Sequence, residues 1–420
     1  MENIQKQDSK IANLIKHETK RQQGGLVLIA SENFVSPAVL EALGSPLTNK
    51  YSEGYPGRRY YGGNQFIDQI ENLAMERAKK LFLPKSEWLN WQVNVQPYSG
   101  SPANFAVYAA LLQPGEKIMG MALTHGGHLT HGHKVSFSGK FFTAIQYHVS
   151  AKNHLIDFDE VAKLAEQEKP KIIVCGYTAY SRIIDFKKFS EIAKKVGAIL
   201  MADISHIAGL IAGGAHPSPF PYADVVTTTT HKTLRGPRGA MIFARNQYAE
   251  AINKAVFPGM QGGPHDNNTV AMAVAFGEDL KPSFKKYARQ IVKNAQALAE
   301  SLKKQGLKLI TDGTDNHLIL VDLTSTGLSG KEAEKLLEDV GIYLNRNTIP
   351  YDPRSPFDPS GIRIGTPALT TRGMEEKEMK IIGEIMAKII LNPKSVKTKK
   401  EATIEIKKIT KKFPLYKNLE

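Results

Sequence analysis

The sequence predicts an α/β fold with a mostly parallel sheet, and three observations carry that expectation. Short apolar runs alternate with helical patterns through the middle of the chain. The runs are continuously hydrophobic rather than alternating, as strands covered on both faces are. A carboxylate, Asp203, stands directly behind one of them, where open α/β sheets carry their ligands. In chain order, Ile11, Leu14 and Ile15 at helical spacing give an amphipathic arm, and a loop-rich stretch punctuated by Gly and Pro follows over 45–63. Buried strands are expected at 117–121, 172–175, 198–202, 225–227 and 240–243, with a helix over 186–196. A long helix at 284–305, a strand at 318–321 and helices at 331–339 and 374–390 make a second, smaller α+β region. The expected division is an N-terminal arm (1–50), a large domain (51–280) and a small C-terminal domain (281–420).

Composition narrows the function. With 420 residues, 42% of them hydrophobic, the chain can bury a large core. Cys175, the only cysteine, lies in an apolar run, which rules out an intrachain disulfide and a Cys-rich metal site and suits a reducing, cytoplasmic setting. Residues 1–23 mix lysines with acids and lack a long apolar stretch, so neither a secretory leader nor a membrane span is expected. The net charge of +14 raises nucleic acid as a partner. Against that, residues 394–420 hold nine lysines and three glutamates, which concentrates the excess on a C-terminal helix or tail without an aromatic–basic module.

The chemistry centres on Thr227-Thr228-Thr229-Thr230-His231-Lys232-Thr233-Leu234-Arg235-Gly236-Pro237-Arg238-Gly239. A lysine held among cations and partly desolvated loses its proton more easily and becomes a Schiff-base nucleophile, and His231, Arg235 and Arg238 supply the neighbouring charge. Asp203, with His206 close behind it, is either a functional carboxylate or a helix N-cap. Ser99-Gly100-Ser101 precedes a helix read as having Pro102 in its first position, which makes a phosphate cup or an ordinary cap. His125, His128, His131 and His133 crowd one loop, but no Asp, Glu or Cys joins them at ligand spacing, and no metal site is expected. Arg363 suits bidentate recognition of a carboxylate or a structural ion pair. Glu53, ringed in sequence by Tyr51, Tyr55, Tyr60 and Tyr61, is a candidate acid–base group if those rings desolvate it and raise its pKa.

The lysine segment resembles the cofactor-lysine motif of the serine hydroxymethyltransferase family. The likeness extends to Leu28–Asn33, Thr48–Gly63, Thr124–Gly132 and Ser360–Pro367, blocks in that family's order. It implies a fold-type I architecture with a seven-stranded, mostly parallel sheet in the large domain and pyridoxal 5'-phosphate held covalently on Lys232. It implies Ser99, Gly100, Ser101, His128, Thr178, Asp203, His206 and Thr229 around that cofactor, with Tyr51, Gly262 and Gly263 reaching it from a second copy, hence a homodimer. Ser31, Tyr61, His206 and Arg363 would take serine or glycine, and Glu53, Tyr60, Leu123, Gly127, Leu129 and Asn347 would line a tetrahydrofolate site. Lys232, Glu53, His231 and Tyr61 would be the catalytic set. The sequence departs from the pattern with Tyr98 where histidine is common, with Thr178 for serine, and at Pro102 and Asn267. Two rivals stand beside this reading: a folate-independent aldolase for β-hydroxy amino acids on the same fold, and a non-enzymatic RNA-binding protein.

Overall fold

The computed structural model describes residues 2–416. By its contacts the chain divides into two compact units, one of residues 33–289 and one joining the residues up to Glu32 with those from Gln290 onward. These bounds differ from the expected breaks after residues 50 and 280. The N-terminal segment is tied to the C-terminal unit because Leu26–Val27 pairs in parallel with Ile342–Tyr343. The Gly365 N–H also donates to the Leu28 carbonyl at 2.8 Å.

The larger unit is built on a seven-stranded sheet. Its spatial order is Trp91–Asn94, Ala240–Arg245, Val225–Thr229, Ile199–Asp203, Ile172–Cys175, Lys117–Met121 and Thr143–Tyr147. The pairs through Thr143–Tyr147, Lys117–Met121, Ile172–Cys175, Ile199–Asp203 and Val225–Thr229 are parallel. Ala240–Arg245 alone runs antiparallel to both neighbours. Val225–Thr229 and Ile172–Cys175 are buried at every residue, which is why they read as continuous apolar or small-residue runs. The expected strands at 117–121 and 172–175 and the helix Phe186–Val196 match residue for residue. That helix is fixed at both ends: Asp185 accepts from the Lys188 N–H, and Gly197 takes a left-handed φ of 71°. One boundary moved: the helix expected to begin at Pro102 begins at Gly100 and runs to Leu111, because Gly100 and Ser101 take helical geometry before the proline.

The smaller unit has an antiparallel four-stranded sheet in the order Lys308–Leu309, Leu318–Asp322, Gly361–Gly365 and Asn345–Asn347. Helix Gly330–Glu338 opens with a reciprocal Ser329–Glu332 capping box, and Glu376–Leu391 buries Met379, Ile382, Met386, Ile389 and Ile390. The basic C-terminal stretch forms helix Val396–Lys412, which turns Ala402, Ile406 and Ile409 inward. Lys417 and Glu420, counted in that stretch, lie outside the described residues. No helix among the described residues is long and apolar enough to cross a membrane.

Candidate functional site

In the larger unit the carboxyl ends of three adjacent strands converge. Asp203 closes its strand with a side chain 9% exposed and accepts four hydrogen bonds. Asn104 Nδ2 and His131 Nε2 meet Oδ2 at 2.9 and 3.0 Å, and the Ser205 hydroxyl and N–H meet Oδ1 at 2.6 and 3.1 Å. Burial opposes ionisation, but the hydrogen bond and charge of His131 outweigh it and hold Asp203 well below the usual carboxylate range. The network continues outward. Asn104 also donates to Thr130 Oγ1 and accepts from the Thr227 hydroxyl, and Thr130 Oγ1 lies 2.7 Å from His128 Nδ1.

Lys232 follows the next strand, half-buried, with its ammonium 3.2 Å from Thr229 Oγ1. Its carbonyl accepts from Asn33 Nδ2 at 2.9 Å and from the Arg235 N–H at 3.1 Å. The turn beyond is closed by Gly236 N–H to Thr230 O and by the Thr230 hydroxyl to Pro237 O. Ser205 links the two strands, since its hydroxyl oxygen accepts from the Thr229 N–H at 3.1 Å. His206 is buried, and its carbonyl accepts from the Thr233 hydroxyl. Burial first, then the charges of Lys232 and Arg238, bring the His231 pKa down to about 3, so its ring is neutral near pH 7. Its buried Nδ1 has no hydrogen-bond partner.

Ser99 is the N-cap residue of Gly100–Leu111, yet its hydroxyl makes no capping hydrogen bond. A Cβ on Gly100 would stand 2.7 Å from the Thr229 methyl, so a side chain there would fill the space between the helix start and the lysine strand. The Thr178 hydroxyl, standing where serine was expected, donates to Gly127 O at 2.8 Å and so holds the loop that carries His128. Gly127 lies so close to the Met121 carbonyl that a Cβ would fall 2.0 Å from it. Leu123 begins the short turn before that loop, and Leu129, just after it, is exposed.

The 51–63 segment is a separate surface of the same unit. The Tyr51 hydroxyl donates to Glu53 Oε1 at 3.1 Å, and the Tyr51 and Tyr61 rings meet edge to face at 5.1 Å. Tyr55 turns away and donates to Asn253 O at 2.7 Å, so of the expected ring of tyrosines it does not face Glu53. Tyr60 stays 73% exposed. Beneath the loop, Arg59 donates to the carbonyls on either side of Glu53, those of Ser52 and Gly54, both at 2.9 Å. Glu71 and Asp68 brace that guanidinium at 2.6 and 2.9 Å. Gly262 and Gly263 lie against Glu53 and Tyr51.

In the smaller unit the Leu28–Gly365 hydrogen bond sets the Ser31 turn beside the strand that carries Arg363. Arg363 Nε donates to Asn345 Oδ1 at 3.1 Å, and burial lowers its pKa to about 10, still a cation at neutral pH. Asn347 pairs with Gly361 across the same sheet.

Of the residues that touch Asp203, none of Asn104, His131 and Ser205 had a role assigned from the sequence. A signal for Asn104 existed: a lone amide in the apolar helix Gly100–Leu111 needs a buried partner. Among the described residues no group of three or more His, Cys, Asp or Glu side chains is placed to hold a metal ion.

Residues 4–386 match the family described as serine hydroxymethyltransferase. A serine hydroxymethyltransferase of Desulfotalea psychrophila is 57% identical over 411 residues, 98% of this chain and 95% of the relative. That of Nostoc sp. is 55% identical, covering 98% and 96% respectively, and that of Acidothermus cellulolyticus is 56% identical, covering 97% and 95%. The chain belongs to the serine hydroxymethyltransferase family.

Proposed function

We propose that this chain catalyses the reversible transfer of the serine hydroxymethyl carbon to tetrahydrofolate, giving glycine and 5,10-methylenetetrahydrofolate. The observation that carries the reading is Asp203, buried and held ionised at a strand end, with Lys232 leaving the adjacent strand. The residues fit pyridoxal 5'-phosphate. Lys232 would hold it, Asp203 would meet its ring nitrogen, and the uncapped helix start at Ser99, Gly100 and Ser101 would take its phosphate. When bound, that group supplies an electron sink for cleavage of the serine Cα–Cβ bond.

The protein's own contributions follow from their surroundings. His131, Asn104 and Ser205 keep Asp203 charged. Thr178 fixes the loop that presents His128 to a flat ligand. Thr229 positions the Lys232 side-chain nitrogen, His231 beside it is neutral, and His206 lies close to the cofactor. Arg363 takes the substrate carboxylate, with Ser31 beside it in the same unit and Tyr61 as a further substrate contact. Glu53 moves a proton at the serine hydroxyl or on the folate side. With Tyr60, Leu123, Gly127, Leu129 and Asn347, it makes the folate contacts. Tyr51, Gly262 and Gly263 serve a second copy of the chain, which makes the working unit a homodimer, and the lone buried Cys175 suits a cytoplasmic setting. Residues 51–280 are read as the cofactor-binding domain and 281–420 as the small domain.

Absorbance titration of the purified protein with pyridoxal 5'-phosphate, followed by serine turnover with and without tetrahydrofolate, tests this. Visible-range absorbance and folate-dependent glycine formation are expected. Cleavage of β-hydroxy amino acids indifferent to folate would establish the aldolase instead. A protein that stays colourless and binds RNA with steep salt dependence would overturn the enzyme reading.

A further inference from the structure

Tyr98 stands one residue before the Ser99–Ser101 helix start and is bound at three points to the segment that contains Gly262 and Gly263. Its N–H donates to Gln261 Oε1 at 3.1 Å, and its hydroxyl donates to the Gly263 carbonyl at 2.8 Å. Its ring lies flat on His265, with centroids 4.2 Å apart and an interplanar angle of 3°. Gln261 completes the clasp from the other side, donating from Nε2 to the Gln96 carbonyl at 2.9 Å. Residues 96–98 and 261–265 are therefore stitched together on both edges of the two glycines.

Two consecutive glycines leave a backbone with more freedom than any other pair, so whatever holds them must come from their neighbours. On one side they face Tyr51 and Glu53: a Cβ on Gly262 would stand 3.2 Å from Glu53 Oε1, and one on Gly263 would stand 3.5 Å from the Tyr51 ring. On the other side the contact is Tyr98. A phenol reaches farther from the backbone than the imidazole common at this position, and here it ends on the glycine carbonyl itself.

We propose that Tyr98 is a positioning residue for phosphate recognition. It fixes the Gly262–Gly263 backbone, which reaches the phosphate held by a second copy, to the chain that leads into this copy's own Ser99–Ser101, and so makes the protein prefer a phosphorylated pyridoxal over the unphosphorylated one. This rests on the cofactor reading above. Tyr98 acts through the glycines and the helix start, without touching the ligand.

The test uses full-length protein freed of cofactor and titrated separately with pyridoxal 5'-phosphate and with pyridoxal, followed by absorbance. Tyr98→Phe keeps the ring on His265 and removes one hydrogen bond. It is expected to weaken pyridoxal 5'-phosphate binding by about 5-fold, the size of one net hydrogen bond, and to leave pyridoxal binding unchanged. Tyr98→Ala is expected to widen the phosphate-specific loss to about 30-fold. If Tyr98→Ala is not recovered folded, Tyr98→Phe decides alone. Parallel weakening of both ligands, or no weakening of either, overturns the positioning role. Wild-type protein that binds neither ligand overturns the functional reading along with it, whereas wild-type binding with an unchanged Tyr98→Phe overturns this proposal only.

Discussion

The wall behind Asp203 and the 51–63 loop belong to the same unit and carry its two candidate acidic groups, yet they are built in opposite ways. Asp203 is sealed in, and each of its oxygens has two donors. Glu53 accepts from one exposed tyrosine hydroxyl, while its peptide flanks are gripped from below by Arg59. In the first region the side chain is fixed and its charge is set by its neighbours. In the second the backbone is fixed and the side chain is left to its environment. A group that must remain one charge throughout belongs in the first setting, and a group that exchanges a proton belongs in the second.

The strongest way to break this contrast is Asp203→Asn, which keeps the shape and removes the charge. A fall in kcat of about 10³-fold is expected from steady-state turnover, comparable with losing one preorganised electrostatic contact at its upper range. Arg59→Met is next. Its side chain is 4% exposed and that of Glu71 is 2%, so removing the guanidinium leaves a buried carboxylate unpaired. A loss of about 3 kcal/mol in denaturant unfolding is expected. Glu53→Gln is expected to lower kcat by about 10²-fold. It should shift stability by no more than about 0.5 kcal/mol, since nothing buried depends on that side chain. A large stability loss here would erase the distinction between the two regions.

The smallest effect is the pH dependence of stability. Burial lowers the pKa of His231 to about 3 and that of His125 to about 4, both from 6.5. Both rings stay neutral in the folded chain while the unfolded chain takes up protons below about pH 6.5. Their burial therefore costs nothing above that pH, and stability falls as acid is added between about pH 6.5 and 4. His231→Gln should flatten the slope of unfolding free energy against pH in that window by about one proton.

Most of the sheet was legible because its central strands carry uninterrupted buried runs. Beyond Lys117, the runs at 117–121 and 172–175 are buried throughout and have no polar face to confuse them with helix. The edge strands Trp91–Asn94 and Thr143–Tyr147 were not predicted, because their sequences mix Gln, Asn and Thr into the run, as strands with a partly solvated side do. The lysine and its carboxylate were legible from their places at strand ends. The groups that set the carboxylate's state were not: Asn104 and His131 come from a helix and a loop far away in sequence, and only folding brings them onto one oxygen. Tyr55 was expected to face Glu53, but neighbouring positions in a loop carry no periodicity that says where a ring points.

Cys175 is the last residue of its strand, wholly buried at the carboxyl end of the sheet, and burial pushes its thiol far above the ordinary range. As the only thiol in the chain, it gives the molecule a single chemical clock. A thiol-reactive dye can reach it only when its buried surroundings at that strand end open, so its labelling rate counts those openings directly, with no engineered probe. Measured with and without ligand, that one rate would report how much binding steadies the strand ends that carry the site.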